Sequence, residues 1–302
     1  MTRSVVKELK DNTNNVFVFP EKTRYKPETA NAYVPDILPD GPDFLAQTRQ
    51  KSFDRIKNLG LPTPKLERWK YTDLPKALRK MSLTLSESNY TLHSGANVCS
   101  PLSQASAKVR DSLNRPFAGE DKYKDMMLAD HVAVLAKDGI LFTASGGKSE
   151  DKTVDISFNG SEGELQAERV VIYVEAGGNI TLIERHEGQG AYWKNTLTQI
   201  ILEEGAKLSH YKIQNDDAQA VNTAATEIHI AENAQYKAFT LTEGGGLSRN
   251  QIHAVIQGEN SDCTLNGINL LSGSQLGDTT ITIEHQKPGC TSNQFYRSLL
   301  DD

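Results

Sequence analysis

The sequence predicts a mainly β protein, a parallel β-helix built from stacked repeats and preceded by a mostly helical region. Three observations carry this. First, one pattern recurs between Arg169 and Tyr296: an alternating apolar run, a small turn-prone pair and a second alternating run. Its clearest copy is Val170–Ile183, and the turns of successive copies align as Gly177, Gly205, Asn233 and Asn260. The step between them is nearly constant at about 28 residues, inside the range of roughly 20–50 residues that marks stacked units. A fainter copy near Glu284–Cys290 suggests one further step of the same kind, from Cys263 to Cys290. No such unit can bury its apolar face alone, so the units must stack. Second, the Asn-Gly and Asp-Gly pairs of tight hairpins are missing from most turns, which disfavours an antiparallel sandwich with evenly spaced hairpins. Third, no helical pattern separates the strands, which removes a βαβ arrangement.

Taken in order, residues 1–33 are polar apart from Val16-Phe17-Val18-Phe19, closed by Pro20. Pro27, Pro35, Pro39 and Pro42 then punctuate a loop-like stretch. A helix is expected from Asp43, as its cap, through Phe44, Leu45, Thr48, Phe53, Ile56 and Leu59 to a stop at Gly60. Leu61-Pro62-Thr63-Pro64 is a stiff connector. The dense segment Glu67-Arg68-Trp69-Lys70-Tyr71-Thr72-Asp73-Leu74 reads as an anchor in which Trp69 and Tyr71 fasten the helix to the rest, or else as a partner contact. One or two strands are expected in Ser82–Val98, and short helices in Ala105–Leu113 and Lys122–Ala136, the latter carrying Tyr123, Met126, Met127 and Val132. Ile140–Phe142 and Val154–Phe158 look like irregular first rungs. The domain boundary is placed at Asp138, with an N-terminal region over 1–138 and the β-helix over 139–302. Within the repeat, alternation puts Val170, Ile172 and Val174 on one face.

Composition narrows the function. The 302 residues are 24% charged and 37% hydrophobic with a net charge of -6, an ordinary globular balance that disfavours a nucleic-acid partner. No apolar run reaches the ~20 residues of a membrane span, and the N-terminus lacks a signal-peptide layout. Cys99, Cys263 and Cys290 are odd in number and widely spaced, so a reducing cytoplasm is expected and the sequons at Asn89, Asn159 and Asn179 are read as chance matches.

Candidate chemistry is sparse. Gly146-Gly147-Lys148-Ser149 resembles the tail of a phosphate loop, but Phe142 occupies the position of its first glycine. Gly244-Gly245-Gly246 lacks the helix and trailing acid of a dinucleotide site and reads as a wide turn. His210, His229 and His285 could converge from successive rungs, yet no spacing matches a zinc or iron–sulfur site. Cys263 and Cys290 read as small core residues on neighbouring rungs. Asp216-Asp217 is an adjacent acidic pair among polar neighbours and reads as a solvated loop. That weakens the alternative of a polysaccharide-cleaving β-helix, which needs paired carboxylates in a cleft. No catalytic, cofactor-binding or metal residue is assigned, and the chain is not expected to be an enzyme.

Several motifs in order resemble the SufB/SufD family of iron–sulfur cluster assembly proteins, SufD more than SufB. They are Leu59–Pro64 leading into Glu67–Leu74, then Leu182-Ile183-Glu184-Arg185-His186, Leu247-Ser248-Arg249-Asn250, Leu265-Asn266-Gly267, and Glu284-His285 with Pro288–Ser292. The resemblance implies a right-handed parallel β-helix and a non-catalytic scaffold subunit. Its partners would be SufB-like and SufC-like proteins, with the cluster handled by the full complex and none bound by this chain alone. The resemblance also implies that family members continue beyond the position of Asp302 with the interface segment and the SufC-binding helices. The chain is therefore expected to lack that C-terminal third, and no cluster ligand is transferred onto Cys263, Cys290 or His285. A homodimer formed through an exposed solenoid end is the remaining structural reading.

Overall fold

The computed structural model describes residues 16–18, 35, 38–113, 126–146 and 152–301. Tyr123 and the stretch 147–149 of the phosphate-loop-like motif lie outside them, as do Phe19, Pro20 and Pro27.

The chain winds about six solenoid turns, each giving one strand to each of two facing sheets. Sheet A carries β7 (Glu164–Val174), β9 (Trp193–Leu202), β11 (Val221–Ile230), β13 (Leu247–Ile256) and β15 (Leu276–His285), all parallel. Sheet B carries β6 (Lys152–Ser161), β8 (Asn179–Gln189), β10 (Lys207–Asn215), β12 (Gln235–Thr242), β14 (Asp262–Ser272) and β16 (Thr291–Asp301), also parallel. Short strands extend the upper edges. β1 (Val16–Val18) pairs antiparallel with β2 (Ser82–Leu85), β3 (Tyr90–Ser94) antiparallel with β6, and β4 (Cys99–Pro101) antiparallel with β5 (Ile140–Ala144), which lies beside β7.

The repeat comes from one corner. Gly177, Gly205, Asn233, Asn260 and Gly289 all have positive φ, between 55° and 72°. That left-handed conformation suits glycine and, next best, asparagine, which is why only these two types occupy the corner. Successive corners bond to one another: Gly177 N–H donates to Glu204 O at 2.8 Å, Gly205 to Glu232 at 2.8 Å and Asn233 to Glu259 at 2.9 Å. The corner after Asn260 is Gly289, a longer step than those before it, so the expected match of Cys263 with Cys290 is out of register. Cys263 pairs with Ser292 instead, and Cys290 falls opposite Ser261, one step before the Asp262–Thr291 pair.

Inside, the half nearest these corners is apolar, with Val170, Ile172, Val174, Ile180, Leu182, Ile200 and Leu208 among its buried residues. β7 is buried on its other face as well, because Val171 and Tyr173 pack under Leu102, Val109 and Leu113. Periodicity shows which face a strand presents inward, not what covers its back.

The N-terminal region supplies that cover. After a single 3-10 turn at Asp43–Leu45, helix α1 runs Ala46–Leu59, and Asp43 makes no cap bond. α1 ends as expected at Gly60, φ 70°. Helix α2 (Leu74–Leu78) is capped by Asp73, which accepts from Lys76 N at 3.0 Å. Helices α3 (Ala107–Leu113) and α4 (Met127–Leu135) lie within the two expected stretches, and α4 rests on β7, β9 and β11. Arg49 of α1 closes the C-terminal end of α4 by donating to the carbonyls of Ala133 and Val134, both at 3.1 Å.

Candidate functional site

The remaining half of the solenoid interior is charged. Alternation along β8 turns Leu182, Glu184 and His186 inward, and β10 does the same for His210, Lys212 and Gln214. The strand pairing places Lys212 beside Glu184. Glu184 accepts from His186 Nε2 at 2.5 Å and His210 Nε2 at 3.1 Å, with Lys212 Nζ at 3.7 Å. His210 Nδ1 in turn takes the Tyr236 hydroxyl at 3.0 Å. Burial opposes ionisation of Glu184, but Lys212 and the two imidazoles outweigh it and hold the carboxyl well below the usual carboxylate range. His186 is pushed down to about 4, by burial and then by Lys212, so it is neutral at pH 7. Its Nε2 carries the proton it gives to Glu184, and its buried Nδ1 has no hydrogen-bond partner among the described residues.

A second centre lies further along the same interior, between β9 and the end of β10. Lys194, fully buried, donates to Phe158 O at 2.9 Å, Glu187 O at 3.1 Å and Asp216 Oδ1 at 3.1 Å, filling all three of its donor positions. Asp216 also accepts from Tyr192 Oη at 2.5 Å and Asn222 Nδ2 at 2.7 Å. Burial acts against the Asp216 carboxylate, yet Lys194 and these donors keep it below its ordinary range. The acidic pair is thus not one solvated loop. Asp216 points inward, while Asp217 is outside, fastening Gly190 N at 3.0 Å and Gln219 N at 2.9 Å. Neither Glu184 nor Asp216 reaches a cleft, so the paired-acid geometry of glycoside cleavage is not built from these two.

The outer face of sheet A holds a third polar chain, beneath α4. Arg169 donates to Gln199 Oε1 at 3.0 and 2.6 Å, and Gln199 Nε2 donates to Glu227 Oε2 at 2.9 Å. Burial, then the nearby Asp130, raises Glu227 to about 7, and burial lowers Arg169 to about 10. A raised acid stabilises the fold below its unfolded value and loses that contribution as pH rises through the folded value. The window is therefore about pH 4.5 to 7, and the full loss about 3 kcal/mol. Glu227→Gln is expected to abolish it. The stability difference between variant and wild type, from urea unfolding, should move about 2–3 kcal/mol in the variant's favour between pH 5 and pH 8. An unchanged difference would show that Glu227 is ionised throughout.

The other residues singled out from the sequence form no joint polar site, although Cys263, Cys290 and Cys99 all pack on the apolar interior, as core residues would. Cys263 is buried in the apolar half, and burial pushes its thiol up to about 12. Cys290 Sγ donates to Gly258 O at 3.0 Å, and Cys99 lies in β4. His285 meets Ser292 Oγ at 3.0 Å on the surface, and His229 lies on the outer face of β11. Gly244 and Gly246 pack against the Asp216 and Ala218 backbones, so the glycine run is a close-packed corner rather than a wide turn. Among the described residues no three His, Cys, Asp or Glu side chains gather in metal-binding geometry.

Two of the motifs, Glu67–Leu74 and Leu247–Asn250, meet in one clasp. Arg249, from Leu247–Asn250, lies over the Trp69 ring at 4.4 Å and donates to Arg68 O at 2.7 Å. It also pairs with Asp278, which the Thr72 hydroxyl bonds, and Arg68 reaches Thr282 Oγ1 at 2.6 Å. Trp69 is fully buried whereas Tyr71 is 80% exposed, so Trp69 alone is the anchor. Gly267, in turn, leaves room for the Tyr296 ring of the next rung.

Fold and interior together define a two-sheet parallel β-solenoid, clasped by an N-terminal helical region and filled on one side by neutralised charge. The match to known proteins is correspondingly specific. The model described as "SUF system FeS cluster assembly, SufBD core domain" matches residues 157–302, and that of the SufBD protein N-terminal region matches 36–93. The chain belongs to the SufB/SufD family. It is 20% identical to an iron–sulfur cluster assembly SufBD family protein of Synechocystis sp. over 303 residues, covering 86% of this chain and 67% of the relative. It is 22% identical to the iron–sulfur cluster assembly protein SufD of Escherichia coli over 279 residues, covering 84% and 66%. With the chloroplastic protein ABCI7 of Arabidopsis thaliana it shares 23% over 171 residues, covering 53% and 36%. The chain thus spans about two thirds of the first two and about a third of the last. No described helix is long and apolar enough to cross a membrane.

Proposed function

We propose that this chain is a SufD-like, non-catalytic subunit of a cytoplasmic iron–sulfur cluster assembly scaffold, pairing with a SufB-like protein and coupled to a SufC-like ATPase. The observation that carries this reading is the likeness to SufD over 84% of the chain. The motifs that resemble the SufB/SufD family supply the clasp at Trp69 and Arg249 and the buried carboxylate at Glu184. The chain is not expected to bind a cluster by itself. A thiolate is the ligand form of cysteine, and Cys263 is held as the thiol by burial. Co-expression with SufB-like and SufC-like proteins tests the assignment. A complex containing the SufB-like chain is expected, and its absence would overturn the pairing. Iron and sulfide reconstitution of the chain alone should leave no stoichiometric visible absorbance, and a stable cluster would overturn the second point.

A further inference from the structure

The upper edge of β7 is paired along only part of its length. β2 runs beside its start, at Glu164 and Leu165, and β5 beside its end, from Val170 to Val174. Ser86 N still donates to Leu165 O at 3.0 Å, but the chain then leaves β7 for sheet B, where Asn89 O accepts from Asn159 N at 2.9 Å. Residues 166–169 are therefore an open stretch of strand edge between the two short strands. Backbone groups alternate in direction along a strand, so Ala167 N–H, Ala167 C=O and Arg169 N–H point out of this edge, as Leu165 O does. None of the three has a hydrogen-bond partner among the described residues. A cleft of about 430 Å³ opens here, lined by Ala167, by Leu135 and Ala136 from the end of α4, by Ser86 and Ser88 past β2, and by Gly139 before β5. Lys137 and Glu87 meet at its rim at 3.8 Å, an exposed pair too weak to bar entry.

We propose that this cleft binds a short extended peptide, added to β7 as a parallel strand segment between β2 and β5. The three free backbone groups fix its register. A ligand residue set opposite Glu168 donates its N–H to Ala167 O and accepts from Arg169 N–H with its carbonyl. The carbonyl two residues earlier accepts from Ala167 N–H. Residues opposite one another share a face, which fixes the side chains too. The ligand residue opposite Ala167 points outward, toward Leu135 and Ala136, and is apolar. The residue opposite Glu168 points inward, toward Ser88, whose hydroxyl already bonds that carboxylate, and is small. The size agrees, because the open stretch is roughly 13 Å long at ~3.3 Å per residue. The cleft also falls within the range of roughly 300–1,000 Å³ typical of ligand sites. β2 and β5 stop both ends of the slot, so it takes a short peptide and not a long strand. The inference stands on the strand edge and is independent of the SufD-like reading.

Titration of acetyl-Leu-Ala-amide into the full chain, followed through the backbone amide NMR signals, tests it. This probe offers the three complementary groups, an apolar side chain and no charge. A saturable response with a dissociation constant of about 1 mM is expected, with the largest changes at Ala167 and Arg169. Methylating the alanine nitrogen of the probe deletes the donor to Ala167 O and should weaken binding about tenfold. Acetyl-Asp-Ala-amide should also bind about tenfold more weakly, because its carboxylate would face Leu135 and Ala136. The absence of a saturable response to the first peptide overturns the proposal. So does equal binding of the methylated peptide, which would mean that the cleft is filled without strand pairing. Changes confined to another part of the chain overturn the site.

Discussion

Glu184→Leu is expected to destabilise the protein by about 3–5 kcal/mol, read from urea unfolding at pH 7. The carboxylate is the common acceptor for His186, His210 and Lys212, each nearly sealed from water. Removing it leaves an ammonium without its counter-ion and two imidazole N–H groups without an acceptor. The cost is chiefly that of the stranded partners, not the net worth of the pairing. Adding Lys212→Met should therefore recover a large part of the loss, since an apolar replacement of both members of a buried pair is often near neutral. A single variant losing less than about 1 kcal/mol would mean water reaches Lys212. The same interior predicts acid sensitivity. His186 is held neutral, so the unfolded chain takes its proton first and stability falls as pH drops from about 6.5 to 4, by about 3 kcal/mol. Glu184 and Asp216 add to that loss at still lower pH, because their folded values are depressed.

The parts that were legible in the sequence share one property: they depend on backbone conformation or strict alternation. Gly177, Gly205, Asn233 and Asn260 could be aligned because the corner needs positive φ, which few residue types tolerate. What escaped depends on what lies across a surface. Asp216 and Asp217 look alike as neighbours in sequence, yet alternation sends one inward to Lys194 and leaves the other facing out. The signal was present, since Leu208, His210, Lys212 and Gln214 already form the inward row that Asp216 continues. Reading a charged residue as exposed by default hid it. Tyr71 failed the opposite way, because an aromatic two positions past a buried tryptophan, beyond the end of a short 3-10 turn, need not share its burial. The cysteine register failed through a single corner, Asn260 to Gly289, where the step is longer than the one the earlier turns set.

Trp69→Ala carries the other large effect, an expected loss of about 3–5 kcal/mol. The ring is fully buried against the cluster that includes Leu74, Leu128, Trp193 and Leu247, so its removal opens a cavity between the N-terminal region and sheet A. It also removes the surface on which the Arg249 guanidinium lies, while the Arg249–Asp278 pair and the bond to Arg68 O remain. The size of the effect decides between two meanings of the Glu67–Leu74 segment. If the tryptophan anchors, Trp69→Ala lowers the melting temperature sharply and Tyr71→Ala, at an exposed position, stays within about 0.5 kcal/mol of wild type. If the segment serves a partner, Tyr71→Ala weakens that complex and Trp69→Ala leaves the isolated chain nearly as stable as before. The contact geometry favours the anchor, because Arg68, Trp69 and Thr72 all spend their bonds on β13 and β15 rather than on solvent. One clasp then ties the N-terminal region to strands from the far end of the sequence, and the helices of that region stay seated on the sheet they cover.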